Sequence, residues 1–233
     1  MLLPLIDRFQ DDPFRALVTF VAFAAALVAA ITFHEFSHAL TATGLGDYTA
    51  RRLGRLSLDP LAHLDPIGTA MLLLAGFGWG KPVPVDPASL RIGPRPGMAI
   101  VSLAGPLSNI AVALLFAIPL NAGLATSDKA GFSYFRGETG DIAGYLLSSI
   151  VFWNLLLATF NLLPVAPLDG FKVALGILPK QVADKFARLE RHGPVILLLV
   201  ILADVLFNVG ILSSIIRPLM NVLGHLVLGR QLL

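Results

Sequence analysis

Residues 16–38 read ALVTFVAFAAALVAAITFHEFSH. From Ala16 to Phe33 no side chain carries a charge, and Thr19 and Thr32 are the only polar members. At about 1.5 Å per residue, an uncharged run of this length is what an α-helix needs to cross about 30 Å of hydrocarbon. The run ends in His34, Glu35 and His38, a His-Glu-x-x-His pattern. Two imidazoles and a carboxylate at that depth are costly unless something uses or neutralises them. On a helix, positions i and i+4 share a face, so His34 and His38 can both present a ring nitrogen to one metal ion. Glu35 projects beside them, where it could take a proton from a bound water. A lone histidine between helices is more often a hydrogen-bonding group than a ligand. The pair with Glu35 between favours a metal, and the reading is a zinc hydrolase buried in a membrane.

The rest of the chain agrees with a membrane setting. Of 233 residues 56% are hydrophobic and 14% charged, and mean hydropathy is +0.79. Soluble domains carry about 25% charged residues, so the deficit marks an integral membrane protein. A net charge of +2 gives no case for a nucleic-acid partner, and the absence of cysteine removes disulfides and thiolate metal sites. Met1 to Pro13 lacks the basic start of a cleavable signal, and Asp12-Pro13 resembles the cap and first turn of a helix.

Further apolar runs are Met98–Leu120, Ile142–Pro164 and Val195–Ile216, while Ile67–Trp79 is too short for a full crossing. The expected fold is an all-α polytopic membrane protein: about four full transmembrane helices, a short or re-entrant helical segment, and a small β-hairpin or edge strand near the site. It is read as a single domain over 1–233, with a catalytic core at about 14–178 and C-terminal membrane helices at about 193–233. Pro179 to Gly193 reads as an amphipathic surface helix. Lys and Arg concentrate between the first and second runs (Arg51, Arg52, Arg55, Lys81, Arg91, Arg95) and between the third and fourth (Lys172, Lys180, Lys185, Arg188, Arg191). The positive-inside rule puts those segments, and the His34–His38 end of the first span, on the cytoplasmic side.

A catalytic zinc usually takes three protein ligands and leaves a position for water. Candidates for the third are Asp169, Asp204, His63, Asp59 and Asp65. Asp169 follows the third span on the same side as His34, in a segment broken by Pro164, Pro167 and Gly170. Its plain alternative is a helix cap over Gly170 to Ile177. Asp204, near the middle of the fourth run, is the rival; a hydrogen bond to Asn208 or a neighbouring span explains it as well. His63 sits in a proline-punctuated loop and reads as organising that turn.

His-Glu-Phe-Ser-His at 34–38, Gly105-Pro106-Leu107-Ser108-Asn109, and Asn161-Leu-Leu-Pro-Val-Ala-Pro-Leu-Asp169-Gly170 together resemble the signatures of the site-2 protease family of intramembrane zinc metalloproteases. Arg55–Pro60 and Gly78–Pro84 are similar to connecting segments of that family. The likeness runs from about Phe33 to Val173, and Ala166 departs from it where proline is frequent. The resemblance implies one zinc ion held by His34, His38 and Asp169, Glu35 as general base, and Asn109 as holder of the substrate carbonyl or oxyanion. It implies peptide-bond hydrolysis in or near transmembrane segments of membrane-protein substrates, in a multi-pass protein of a prokaryotic cytoplasmic membrane. The loop from Asn121 to Gly140 is too short for an inserted PDZ domain, and no appended domain is expected after the fourth span.

Gly80-Lys-Pro-Val-Pro-Val85 adds a point. In an extended segment Pro82 and Pro84 remove donors from one edge, while Lys81, Val83 and Val85 keep theirs on the other. Such an edge could align an extended substrate, or simply close a small sheet with Arg51–Leu58. The alternative to a protease is a membrane zinc carrier or sensor, which gives Glu35 no special task.

Overall fold

The computed structural model describes residues 12–75, 78–125 and 142–233. Its helices in chain order are α1 (Pro13–Gly44), α2 (Thr49–Arg52), α3 (Pro66–Ala75), α4 (Pro94–Asn121), α5 (Ile142–Asn161), α6 (Asp169–Ile177), α7 (Lys180–Ala187), α8 (Gly193–Phe207) and α9 (Ile211–Leu228). Four of them, α1, α4, α5 and α9, are long and apolar enough to cross a membrane, which makes this a multi-pass membrane protein. Asp12 caps α1 by accepting the Arg15 N–H, with Pro13 in the first turn.

The centre is built from α1, α4 and α5. Their contacting faces carry small residues: Ala22, Ala26 and Ala30 on α1, Gly105, Ala113 and Ala117 on α4, Ala158 on α5, all buried. In lipid, where burial of apolar side chains gains little, such surfaces let backbones approach and pack by dispersion. Phe23 of α1 meets Trp153 of α5 edge to face at 4.8 Å. Leu17, Val21, Leu114, Leu115 and Ile118 point outward, as hydrocarbon-facing positions should. Pairings run in opposite chain directions along α1 and α4, Ala30 meeting Asn109 and His38 meeting Val101, so these two helices are antiparallel.

The short helix α6 is tucked against this core. Arg95, in the first turn of α4, donates from Nε to the Leu175 carbonyl at 2.5 Å and from Nη2 to that of Leu178. A cation at this helix C-terminus satisfies carbonyls that have no partner within α6. A methyl group on Gly170 would lie 2.2 Å from the Leu162 carbonyl oxygen, and one on Gly176 2.2 Å from Ala99 Cβ. Only glycine permits that closeness at both ends.

Three expectations are corrected. Among the described residues there is no sheet or hairpin: the segment around Lys81 makes one isolated antiparallel bridge, Leu64 with Gly80, and Arg51–Arg52 is helical. Pro82 and Pro84 withhold two donors in succession, and Arg55 takes the carbonyls a ladder would need. Second, the run Val195–Ile216 is not one span. Asn208 and Gly210 take left-handed conformations (φ 51° and 77°), ending α8 and turning the chain into α9. Third, the surface helix expected over Pro179–Gly193 is shorter, α7 followed by a 3-10 turn at Glu190–His192. Ile67–Trp79 becomes the ten-residue α3, about 15 Å long and half a crossing. The readings of Met1–Asp11, of most of the Asn121–Gly140 loop and of Gly76–Phe77 lie outside the described residues.

Candidate metal centre

His34 and His38 stand one turn apart on the buried face of α1, 5% and 8% exposed, with ring centroids 4.6 Å apart. Asp169, the first residue of α6, reaches both: its Oδ2 lies 3.0 Å from His34 Nε2 and 3.2 Å from His38 Nε2. Asp169 caps nothing, since the capping position is Leu168 and no side-chain cap bond forms there. Among the described residues these three are the group whose donor atoms gather, all within 4.8 Å. Two ligands of a tetrahedral zinc with bonds of about 2.05 Å sit about 3.3 Å apart, close to the separations seen. Gly105 makes room on the α4 side, where an added methyl would lie 2.5 Å from the His38 ring and 2.7 Å from that of His34.

Hydrogen bonds behind the rings decide what faces the centre. His38 Nδ1 is 2.7 Å from the Val101 carbonyl, which only accepts, so Nδ1 carries the proton. His34 Nδ1 is 2.7 Å from Asn109 Oδ1. Asn109 has its orientation fixed, because its Nδ2 donates to the Ala30 carbonyl and to Asn154 Oδ1, both at 2.9 Å. In the neutral rings both Nε2 atoms therefore present lone pairs, and they present them to a carboxylate oxygen. Three electron-rich atoms meeting in a buried place repel one another unless a proton or a metal ion lies between them. The residues present fit a metal ion such as zinc.

A cavity of about 280 Å³ opens on this cluster, and Glu35, Val83, Asn161 and Lys172 are among its walls. Val83 N–H donates to Glu35 Oε2 at 3.1 Å. The chain from Gly80 to Asp86 thus forms a strap over the carboxylate. At its start Lys81 N–H donates to the His63 carbonyl (2.8 Å), and at its end Asp86 N–H donates to Asp47 Oδ2 (2.7 Å). Burial would raise the Asp47 carboxyl's pKa, but hydrogen bonds from Thr49 and Asp86, with the charge of Arg52, hold it below the usual range.

The structure brings His34, Glu35, His38 and Asp169 together and separates Asn109 from the reacting space. Asn109 lies behind His34, fully buried, with both amide hydrogens spent. That leaves none for an oxyanion, so the structure gives it the place of a group that orients His34. Lys81 and Val83 lie on the strap with their N–H groups already engaged, and Val85 lines the cavity. His63 is buried with Nε2 2.7 Å from the Ser57 carbonyl, organising its loop. Asp204 is far from the cluster in role: its two oxygens accept the N–H groups of Ile211 and Leu212, both at 2.7 Å.

Sequence reasoning gave Asn154, Asn161 and Lys172 no role at the site itself. Lys172 follows Asp169 by three helical positions, a spacing that by itself puts both on one face. Asn154 carried no such signal, because its partner Asn109 lies 45 residues away.

The chain is 36% identical over 218 residues to "Putative zinc metalloprotease YwhC" of Bacillus subtilis, covering 93% of this chain and 92% of that one. It belongs to the site-2 protease family of zinc metalloproteases. "Putative zinc metalloprotease Rip2" of Mycobacterium tuberculosis is 30% identical over 190 residues, 80% of this chain and 69% of that one. The Rip2 protein of Mycolicibacterium smegmatis is 26% identical over 197 residues, 83% and 71% respectively. No family model and no solved structure matches the chain. In this member of the site-2 protease family, His34, His38 and Asp169 form a group that could hold a metal ion, set among membrane-length helices.

Proposed function

We propose that this chain is an intramembrane zinc protease that hydrolyses peptide bonds in or beside transmembrane segments of membrane-protein substrates. His34, His38 and Asp169 hold one zinc ion and Glu35 is the general base. The observation that supports this best is the meeting of two Nε2 lone pairs and a carboxylate beside Glu35, inside a bundle of membrane-length helices. Zinc bound there supplies a Lewis acid that acidifies water and polarises a carbonyl. Glu35 accepts the proton of the attacking water and hands it to the leaving amine. Asn109 and the Val101 carbonyl hold the imidazoles in one tautomer and one orientation. Asn161 lines the cavity with one amide hydrogen given to the Leu157 carbonyl and a second directed to no partner among the described residues. It, and not Asn109, is the amide available to a developing oxyanion.

A helical substrate shields its amides in its own hydrogen bonds, so it must unwind before Glu35 can act, and a helix-weakening residue near the scissile bond is expected. The Lys and Arg distribution supports an orientation with the site towards the cytoplasm. The test uses purified protein in liposomes with a fluorescence-quenched peptide of about 20 apolar residues carrying a central Gly-Ser pair. Glu35→Gln is expected to keep its zinc, measured by atomic emission, and to lose cleavage by about 100-fold or more. A wild-type protein that holds zinc and cleaves nothing favours the carrier or sensor reading. A Glu35→Gln variant that cleaves normally removes Glu35 from the reaction.

A further inference from the structure

Arg55 is 5% exposed, and among the described residues its guanidinium forms no ion pair. A buried cation without an anion beside it is costly, so its partners carry information. Nη1 donates to the Pro82 carbonyl at 2.8 Å and Nη2 to the Lys81 carbonyl, a forked grip on two successive peptide groups. The next main-chain donor is Val83 N–H, which donates to Glu35. Pro82 and Pro84 on either side have no N–H and fixed φ, so Val83 is the single donor of that stretch and its direction is set by the strap. The strap's two ends are tied to the His63 carbonyl and Asp47, and Arg55 sets its height in between. Packing is close here: a methyl on Gly80 would lie 3.2 Å from Ile31 Cγ2 of α1 and 3.9 Å from Glu35 Oε1. Burial holds the guanidinium's pKa below its usual value, and the negative charge of Glu35 only partly opposes that.

We infer that Arg55 is a positioning residue for the proteolytic step: by gripping the Lys81 and Pro82 carbonyls it aims the Val83 amide at Glu35 and fixes that carboxylate in its working orientation. This rests on Glu35 being the general base. A glutamate has three side-chain torsions, and a bond to one oxygen restrains the carboxylate while leaving the other oxygen to take a proton. Small losses of alignment at a reacting group cost large factors in rate. The plain alternative is a clip that closes the strap and leaves the reaction untouched.

The experiment compares Arg55→Met, Val83→Pro (which removes the N–H) and the double variant, in the same liposomes with the same peptide. Arg55→Met is expected to lower kcat about 10–100-fold, with KM within about 3-fold and zinc content unchanged. The double variant should be no slower than Val83→Pro alone, because both changes break one linkage. Hydrogen exchange in the 80–85 peptide should quicken in Arg55→Met. A normal kcat, a rise in KM alone, or additive losses in the double variant would overturn the inference. If Arg55→Met does not assemble, Arg55→Lys, which keeps the charge but not the fork, is read by the same criteria. Glu35→Gln separates the two claims: cleavage by that variant defeats the general-base reading, whereas its inactivity beside a fully active Arg55→Met defeats only this inference.

Discussion

Asp169 and Asp204 are both carboxylates among apolar segments, and the fold answers the same cost in two ways. Asp169 shares one oxygen between two imidazoles, and its position is fixed from a distance by Arg95 at the far end of α6. Asp204 divides its two oxygens between the first two N–H groups of α9, the next helix in the chain. The first arrangement gathers three electron pairs at one point, where a metal ion would be held. The second is complete, since donors of a helix start are matched by one carboxylate. In this fold one carboxylate meets other electron-rich atoms and the other meets donors.

The comparison can be broken most directly at Asp169. Asp169→Ala removes one of three ligands, and zinc affinity should fall by more than about 100-fold, measured by metal competition with a chelator. Retention of wild-type affinity would leave the cluster without meaning. Asn109→Ala sharpens the same side: it leaves all three ligands but frees the His34 ring, and a loss of about 10–100-fold in zinc affinity or turnover is expected. A larger fall in kcat with zinc affinity unchanged would return Asn109 to the reacting space. Asp204→Ala gives the smallest effect, about 0.5–2 kcal/mol of stability, read as a lower thermal midpoint with zinc content and cleavage unchanged. Any loss of zinc in that variant would put Asp204 on the wrong side of the comparison.

Much of this was legible in the chain. The charge-free run before His34 announced a span, the four-residue spacing of His34 and His38 put both rings on one face, and Asp12-Pro13 marked a helix start that the structure contains. Asp169 was legible as a candidate because the prolines and glycine around it stop a helix on the right side of the membrane. The break at Asn208–Gly210 carried a helix-stop signal that the hydropathy of Val195–Ile216 concealed. The expected strand failed because a one-edged extended segment needs a neighbour, and the neighbour it found was a side chain, Arg55.

The sequence by itself determined which groups lie on one helix face and which segments prefer lipid, because both follow from local periodicity and local polarity. Only the tertiary structure decided what each buried polar group answers to. His34 meets Asn109 across 75 residues of chain and Asp169 across 135, and Arg55 meets the strap across 26 and 27. Hydrogen-bonding capacity is a property of a residue, but its satisfaction depends on which helices pack together. That is why Asn109, for which the family resemblance implies an oxyanion role, is seen to have both amide hydrogens engaged behind His34 only once the helices are packed.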